Sequence, residues 1–293
     1  MRAHRRLMGV LVAAALVVAL TGCGGDDEAT GTTTTVTPAT TTTEEPTTDE
    51  PTTTTEEEAS EVRAYFMRGE EVGPVAREAR GVDVAHDAME GLLGGPTPEE
   101  VEIGLTTSIP SGTSLLDLDV DDGLATVDLS GDFASGGGTL SMTSRVAQVV
   151  FTLTQFPTID EVAFRLDGEP VEALGGEGIP LGEPQSRADW EDLSPAILVE
   201  SPLPFAEVAS PLRVSGTANT FEAVFQLEVV DGAGAIVYDE HQMATSGTGT
   251  RGTFDVTATF EVTRPGQGAV IAFVYSPKDG SRIDIVEIPV LVS

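Results

Sequence analysis

Leu116-Asp117-Leu118-Asp119-Val120-Asp121-Asp122-Gly123-Leu124-Ala125-Thr126-Val127-Asp128-Leu129 is the stretch that decides the fold of the first half of this chain. Leu116, Leu118 and Val120 alternate with Asp117, Asp119 and Asp121, the period of a half-exposed strand. Asp122-Gly123 accepts the left-handed backbone of a two-residue hairpin turn, so the chain returns as a second strand from Leu124 to Leu129. A helix is predicted on either side. Upstream, Ala85, Ala88, Met89, Leu92 and Leu93 fall at i, i+3, i+4, i+7 and i+8 behind the candidate N-cap Asp83, and Gly94-Gly95-Pro96 stops them. Downstream of the loop Gly136-Gly137-Gly138, Met142, Val146, Val149 and Leu153 share one face. Val62–Phe66 and Glu71–Arg77 read as a leading hairpin, and Glu161–Leu166 as a closing strand. The order β-β-α-β-β-α-β predicts an α+β domain over residues 61–181, a small sheet with two helices on one face.

The pattern changes further along. Residues 182–195 read as a linker that holds the only tryptophan, Trp190. From Ala196 to the end only strands are predicted. Phe221, Ala223, Phe225, Leu227 and Val229 alternate with Glu222, Gln226 and Glu228. Phe254, Val256, Ala258, Phe260 and Val262 alternate with Thr253, Asp255, Thr257, Thr259 and Glu261. In the last strand Ile283 and Ile285 are out of phase with Ile288, Val290 and Val292, which predicts a bulge near Val286-Glu287. About seven short strands over residues 196–293 predict an all-β sandwich, held by phenylalanine and valine because no disulfide is available.

The N-terminus reads as an address. Arg2, Arg5 and Arg6 precede Leu7–Leu20, an apolar run too short to span a ~30 Å hydrocarbon core and suited to a signal-peptide h-region over residues 1–22. Cys23 is the only cysteine. Residues 23–60 form a tether of threonine runs, prolines and acidic pairs that buries too little apolar area to offset its ordering entropy. As a flexible coil it would reach roughly 35 Å, and such threonine–proline stalks are often O-glycosylated on exported proteins. No second apolar stretch approaches ~20 residues.

Leu20-Thr21-Gly22-Cys23 resembles a bacterial lipobox. The resemblance implies that Cys23 receives a diacylglyceryl thioether, becomes the mature N-terminus and holds the chain on the outer face of the cell membrane, projecting into the wall layer. Leu92–Pro96, Gly104–Thr113, Ala125–Ser130, Gln148–Leu153 and Val162–Gly168 resemble the GerMN (sporulation and spore germination) domain in order and spacing. That resemblance implies an extracytoplasmic module without a known active site, similar in part to ring-building motifs. Related actinobacterial lipoproteins are associated with envelope-sensing kinases. Ile197–Pro202, Leu212–Ala218 and Asp279-Gly280 resemble the immunoglobulin-like domain of bacterial spore germination proteins, which commonly follows a GerMN domain.

Charge excludes some partners. The formal net charge of −33 would become −36 without the three arginines of residues 1–22, so nucleic acid and anionic headgroups are repelled and cationic partners attracted. Lys278 stands alone against fourteen arginines, a usage suggestive of a GC-rich genome such as an actinobacterium's. Asp117, Asp119, Asp121 and Asp128 imitate a calcium loop, but Asp122 sits where the sharp turn needs glycine and strands flank it, so solvated carboxylates are the better reading. Gly136-Gly137-Gly138 before a helix lacks the lysine of a phosphate loop and reads as a flexible loop. His86 and His241 leave no set for zinc or for a serine hydrolase. No catalytic, metal or cofactor site is expected, and the chain does not read as an enzyme. The leading expectation is a non-enzymatic docking module bound to an envelope protein partner. Hetero-association through the α-β-β-α-β part is preferred to self-association, with Val127 and Leu129 on a contributing strand. The alternative is a peptidoglycan- or carbohydrate-binding lipoprotein.

Overall fold

In a computed structural model the structure describes residues 60–175 and 178–293. The signal, Cys23 and nearly all of the tether lie outside the described residues. Strands β1 (Ser60–Arg68) and β2 (Glu71–Ala79) form an antiparallel hairpin. Helix α1 (Val84–Leu93) starts where expected, Asp83 Oδ1 accepting the His86 N–H at 3.2 Å, and it buries Ala88, Met89 and Leu92. A short helix α2 (Pro98–Glu102), capped reciprocally by Thr97 and Glu100, leads to β3 (Leu105–Thr106). Strands β4 (Leu115–Asp121) and β5 (Gly123–Leu129) are joined through Asp122 and Gly123, both left-handed at φ +45° and +87°. Helix α3 (Thr139–Leu153) crosses to β6 (Ile159–Leu166), which runs parallel to β5, and β7 (Glu169–Pro170) follows. A two-stranded pair, β8 (Ala173–Leu174) and β9 (Ile179–Pro180), closes the first half.

The α+β class holds, while strands β1 to β7 divide between two sheets, β2-β1-β3 and β4-β5-β6-β7, where the pattern predicted one. The reason lies in polar side chains. Beyond its two-residue pairing with β3, the second edge of β1 is occupied by side chains from α3 and the turn after it. Gln155 Oε1 accepts the Arg63 N–H at 2.7 Å and its Nε2 donates to Arg63 O at 2.6 Å. Thr152 Oγ1 accepts the Tyr65 N–H at 3.1 Å, and Gln148 Nε2 donates to Tyr65 O at 3.3 Å. Residues 148, 152 and 155 share a helical face and take the place of a strand, which leaves few backbone groups of β1 for another sheet.

The sandwich pairs a three-stranded sheet with a five-stranded one. The first contains β10 (Ile197–Ser201), β12 (Leu212–Ala218) and β15 (Gly252–Ala258), in the order β10-β12-β15. The second, ordered β11-β17-β16-β13-β14, is built from β11 (Glu207–Val208), β13 (Val224–Val230), β14 (Ile236–Met243), β16 (Gly266–Tyr275) and β17 (Arg282–Val292). Phe225, Leu227, Val229, Val270, Ala272, Ile288 and Val290 meet Ile197, Val199, Val214 and Phe254 in one core.

Three details depart from the alternation. Phe221 belongs to a tight 3-10 turn, Phe221–Ala223, and is exposed, because Glu222 and Ala223 adopt left-handed backbone at φ +55° and +61° before β13 begins. Gln226 and Glu228 are buried on the outer side of β13, because Asp239 accepts from Gln226 and Arg282 forks onto Glu228 at 2.9 and 2.6 Å. The bulge in β17 falls at Asp284-Ile285 rather than at Val286-Glu287, with Asp284 at φ +51°. At the turn after β13 the buried Asp231 collects four backbone N–H groups, from Ala233, Ala235, Thr263 and Arg264, at 2.8 to 3.1 Å. Burial pushes its carboxyl up, but those four donors outweigh burial and hold it at about 2.

Candidate docking surfaces

The sheet β4-β5-β6-β7 turns one face to the core and the other to solvent. Val127 and Leu129, expected to serve association, are fully buried with Ala125, Val162 and Phe164. They point inward because the register of the hairpin places them opposite Leu118 and Leu115 on the core side. The outward rows are different residues. Across β4, β5 and β6 they read Asp117-Asp128-Arg165, Asp119-Thr126-Ala163 and Asp121-Leu124-Glu161. Asp117, Asp119, Asp121 and Glu161 are exposed, and Arg165 is the one cation in those rows. β4 is also the edge of its sheet, with a bulge that pushes Leu116 out of register into solvent. Exposed carboxylates beside a strand edge that no other described strand pairs with attract basic surfaces, and the attraction is screened by salt.

The sequence reading did not find a second polar group, buried between the first half and β10. The Tyr65 hydroxyl donates to Glu200 Oε1 and accepts from Arg187 Nη2 at 3.2 Å. Arg187 Nη1 donates to the same Glu200 oxygen at 2.9 Å, and its guanidinium lies 5.2 Å and 4.9 Å from the ring centres of Tyr65 and Phe151. Arg63 adds a bond to Glu200 O at 2.9 Å. Burial is the largest influence on both acids. It drives the Tyr65 phenol far above its usual range, Glu200 adding to the rise and Arg187 opposing it. Burial also raises Glu200, but Arg187, the Tyr65 hydroxyl and Arg63 together bring its carboxyl below the usual range. These shifts resemble those of acid–base catalysts, yet each group is consumed by its neighbours, as in a structural joint. The one signal in the sequence was a glutamate closing the apolar run Ile197–Val199.

Residues 182–195 are packed. Trp190 lies in a 3-10 segment, Arg187–Leu193, and is buried in the first core, which also takes in Leu198 of β10. Glu191 receives Arg251 Nε at 2.9 Å and Asn219 Nδ2 at 2.8 Å from the sandwich. The glycine loop presents carbonyls where an anion would need N–H groups. The buried Arg145 donates to Phe133 O, Ser135 O and Gly136 O at 2.5, 3.0 and 3.2 Å. His86 sits on α1 and His241 on β14. Among the described residues no three histidine, cysteine, aspartate or glutamate side chains are grouped to hold a metal ion, and no helix is long and apolar enough to cross a membrane.

An α+β unit followed by an immunoglobulin-like sandwich is the class that these sheets define. The chain belongs to the Germane family, described as sporulation and spore germination, whose model matches residues 26–172, half of the sequence. Residues 196–281 match Gmad2, the immunoglobulin-like domain of bacterial spore germination. Among curated proteins the chain is similar to lipoprotein LpqB of Thermobifida fusca, 36% identical over 38% of this chain and 17% of the relative. It is also similar to spore germination protein GerM of Bacillus subtilis, 32% identical over 38% of this chain and 31% of the relative. The matches thus span less than a third of either relative's length. Among solved structures, the first GerMN domain of GerM is 27% identical, covering 44% of this chain and 99% of that one, with a TM-score of 0.36. A putative lipoprotein from Clostridium perfringens is 22% identical, covering 46% and 93%, with a TM-score of 0.34.

Proposed function

We propose that this protein is an envelope lipoprotein anchored on the outer face of the cell membrane that works by docking a protein partner, without chemistry of its own. In this reading residues 1–22 are removed, Cys23 carries the lipid, residues 23–60 give reach, and 61–181 and 196–293 are two domains joined by the packed segment 182–195. The resemblance of Leu20–Cys23 to a lipobox and the similarity to lipoprotein LpqB support the anchor. The observation that carries the docking role is the outward face of β4–β6, with Asp117, Asp119, Asp121 and Glu161 exposed beside the edge of β4 that no other described strand pairs with. Like-charge repulsion disfavours two such faces meeting, so the partner is a different protein with a basic surface.

Two experiments test this. Cys23→Ser should release the protein from the membrane fraction or leave it as unprocessed precursor, and unchanged membrane-bound mature protein would contradict the anchor. Crosslinking of the full chain in intact cells should capture an envelope protein, with capture at least tenfold lower in the triple variant Asp117→Lys/Asp119→Lys/Asp121→Lys. Equal capture by the variant, or retention on purified peptidoglycan in place of a protein, would overturn the docking role.

A further inference from the structure

Strand β4 lies at the end of its sheet, and no other described strand pairs with its second edge. Two observations there say what would fit beside it. First, the apolar side of the sheet is left unfinished at β4. From β6 to β4 the core-side rows read Phe164-Val127-Leu118 and Val162-Ala125-Val120. The β5 and β6 members of both rows are buried, whereas Leu118 is half-buried and Val120 is 41% exposed. None of the seven residues of β4 is buried. The core therefore ends on apolar side chains with one flank in water, and a further strand would cover Leu118 and Val120.

Second, the other side of the same strand is charged at the same period. Asp117, Asp119 and Asp121 alternate with Leu118 and Val120 and are exposed. None of the ion pairs among the described residues involves them. Arg165, the one cation in their rows, is two strands away on β6.

A strand paired with β4 places its side chains on the same two sides, residue for residue. Opposite the three aspartates it needs cations, because opposite charges across a pair attract and like charges repel. Opposite Leu118 and Val120 it needs apolar residues. The bulge at Leu116 and the left-handed Asp122 limit regular pairing to Asp117–Asp121. The complement is basic-apolar-basic-apolar-basic, which reads the same in both directions and so suits a parallel or an antiparallel partner. A second copy of β4 would set aspartate against aspartate and is rejected. The sandwich's edge strand β14 has no such alternation, since Asp239 and Glu240 are neighbours on opposite sides and Asp239 is bound by Gln226.

We propose that β4 takes up an extended segment of the partner protein as an added strand, with lysine or arginine at three alternate positions and apolar residues between them. The inference rests on the docking role of this face and adds the form of the partner, since docking alone asks only for a basic surface.

Fluorescence anisotropy on the full chain in nonionic detergent micelles, with a micelle-only blank, tests it with dye-labelled heptapeptides of one composition. One is Thr-Lys-Val-Lys-Val-Lys-Thr and the other Thr-Lys-Lys-Lys-Val-Val-Thr. Two further probes keep the alternating order and carry backbone N-methyl groups, on the three lysines or on the two valines. Successive residues of a strand turn their N–H groups to opposite edges, so each methylated probe loses one edge only. The expected result is saturable binding of the alternating peptide, about tenfold weaker for the blocked order and for one methylated probe, and nearly unchanged for the other. Asp117→Lys/Asp119→Lys/Asp121→Lys should weaken it about tenfold while keeping the wild-type circular dichroism, and the methylated probes leave the protein untouched. Strand addition is overturned by equal affinity for the two orders, by loss with both methylated probes or with neither, by undiminished binding in the lysine variant, or by no saturable binding of the alternating peptide. The docking role is judged separately by capture in cells: capture that persists beside equal affinity for the two orders keeps a basic partner and removes the added strand.

Discussion

The outer faces of the two large sheets differ in material. That of β4–β6 is a field of carboxylates with one arginine, and that of β13 and β16 is a carbon-lined pocket flanked by Phe221 and Tyr275. Charge acts over about a Debye length and fades with salt, whereas an apolar pocket acts only at contact and is indifferent to salt. The undersides differ as well. Behind the acidic face, α3 and the turn after it lend Gln148, Thr152 and Gln155 to the edge of β1, while the two sheets of the sandwich meet through apolar side chains such as Phe225, Leu227 and Phe254.

Four substitutions probe this contrast, in falling order of expected effect. Arg187→Met removes the cation that serves Tyr65 and Glu200 at the joint between the halves. It should cost about 3 kcal/mol in urea denaturation and split one cooperative transition into two; an unchanged single transition would mean that the halves are not coupled there. Gln148→Met leaves Tyr65 C=O and Ser108 N–H without their partner and should cost about 2 kcal/mol, confined to the first half. A neutral result would erase the difference between the undersides.

The third is read through pH. Asp231 is held at about 2, below its unfolded value near 3.9, so its contribution is complete above about pH 4 and is lost as pH falls toward 2. Glu200, also depressed, loses its contribution on acidification in the same direction. Asp231→Asn should therefore flatten the acid limb of the sandwich's stability profile, and an unaltered limb would show that other groups set it. The smallest change in stability belongs to the triple lysine variant of β4. Exposed outward positions should shift stability by no more than about 0.5 kcal/mol, so any loss of capture reports recognition rather than unfolding.

Much of this was legible in the sequence because local rules agreed. The Asp122-Gly123 turn, the Asp83 cap and the stripes of α1 and α3 stand where the pattern placed them. The division into two sheets was not legible, because it depends on Gln148, Thr152 and Gln155 reaching a strand some 80 to 90 residues away in sequence. Phe221 keeps perfect phase with Phe225 and still faces solvent, since the left-handed turn between them resets the face. The burial of Glu228 follows from Arg282 on another strand, which alternation within β13 cannot report. Val127 and Leu129 lie on a strand of the sheet as expected, but both are buried, because a strand's periodicity does not say which of its faces the helices cover.

The most direct test of docking through the acidic face is a photocrosslinking amino acid placed at Asp119 of the full chain in living cells. The account predicts a discrete adduct with a second envelope protein, suppressed when Asp117 and Asp121 are changed to lysine. A self-adduct, an adduct with peptidoglycan alone, or no adduct at all would contradict it.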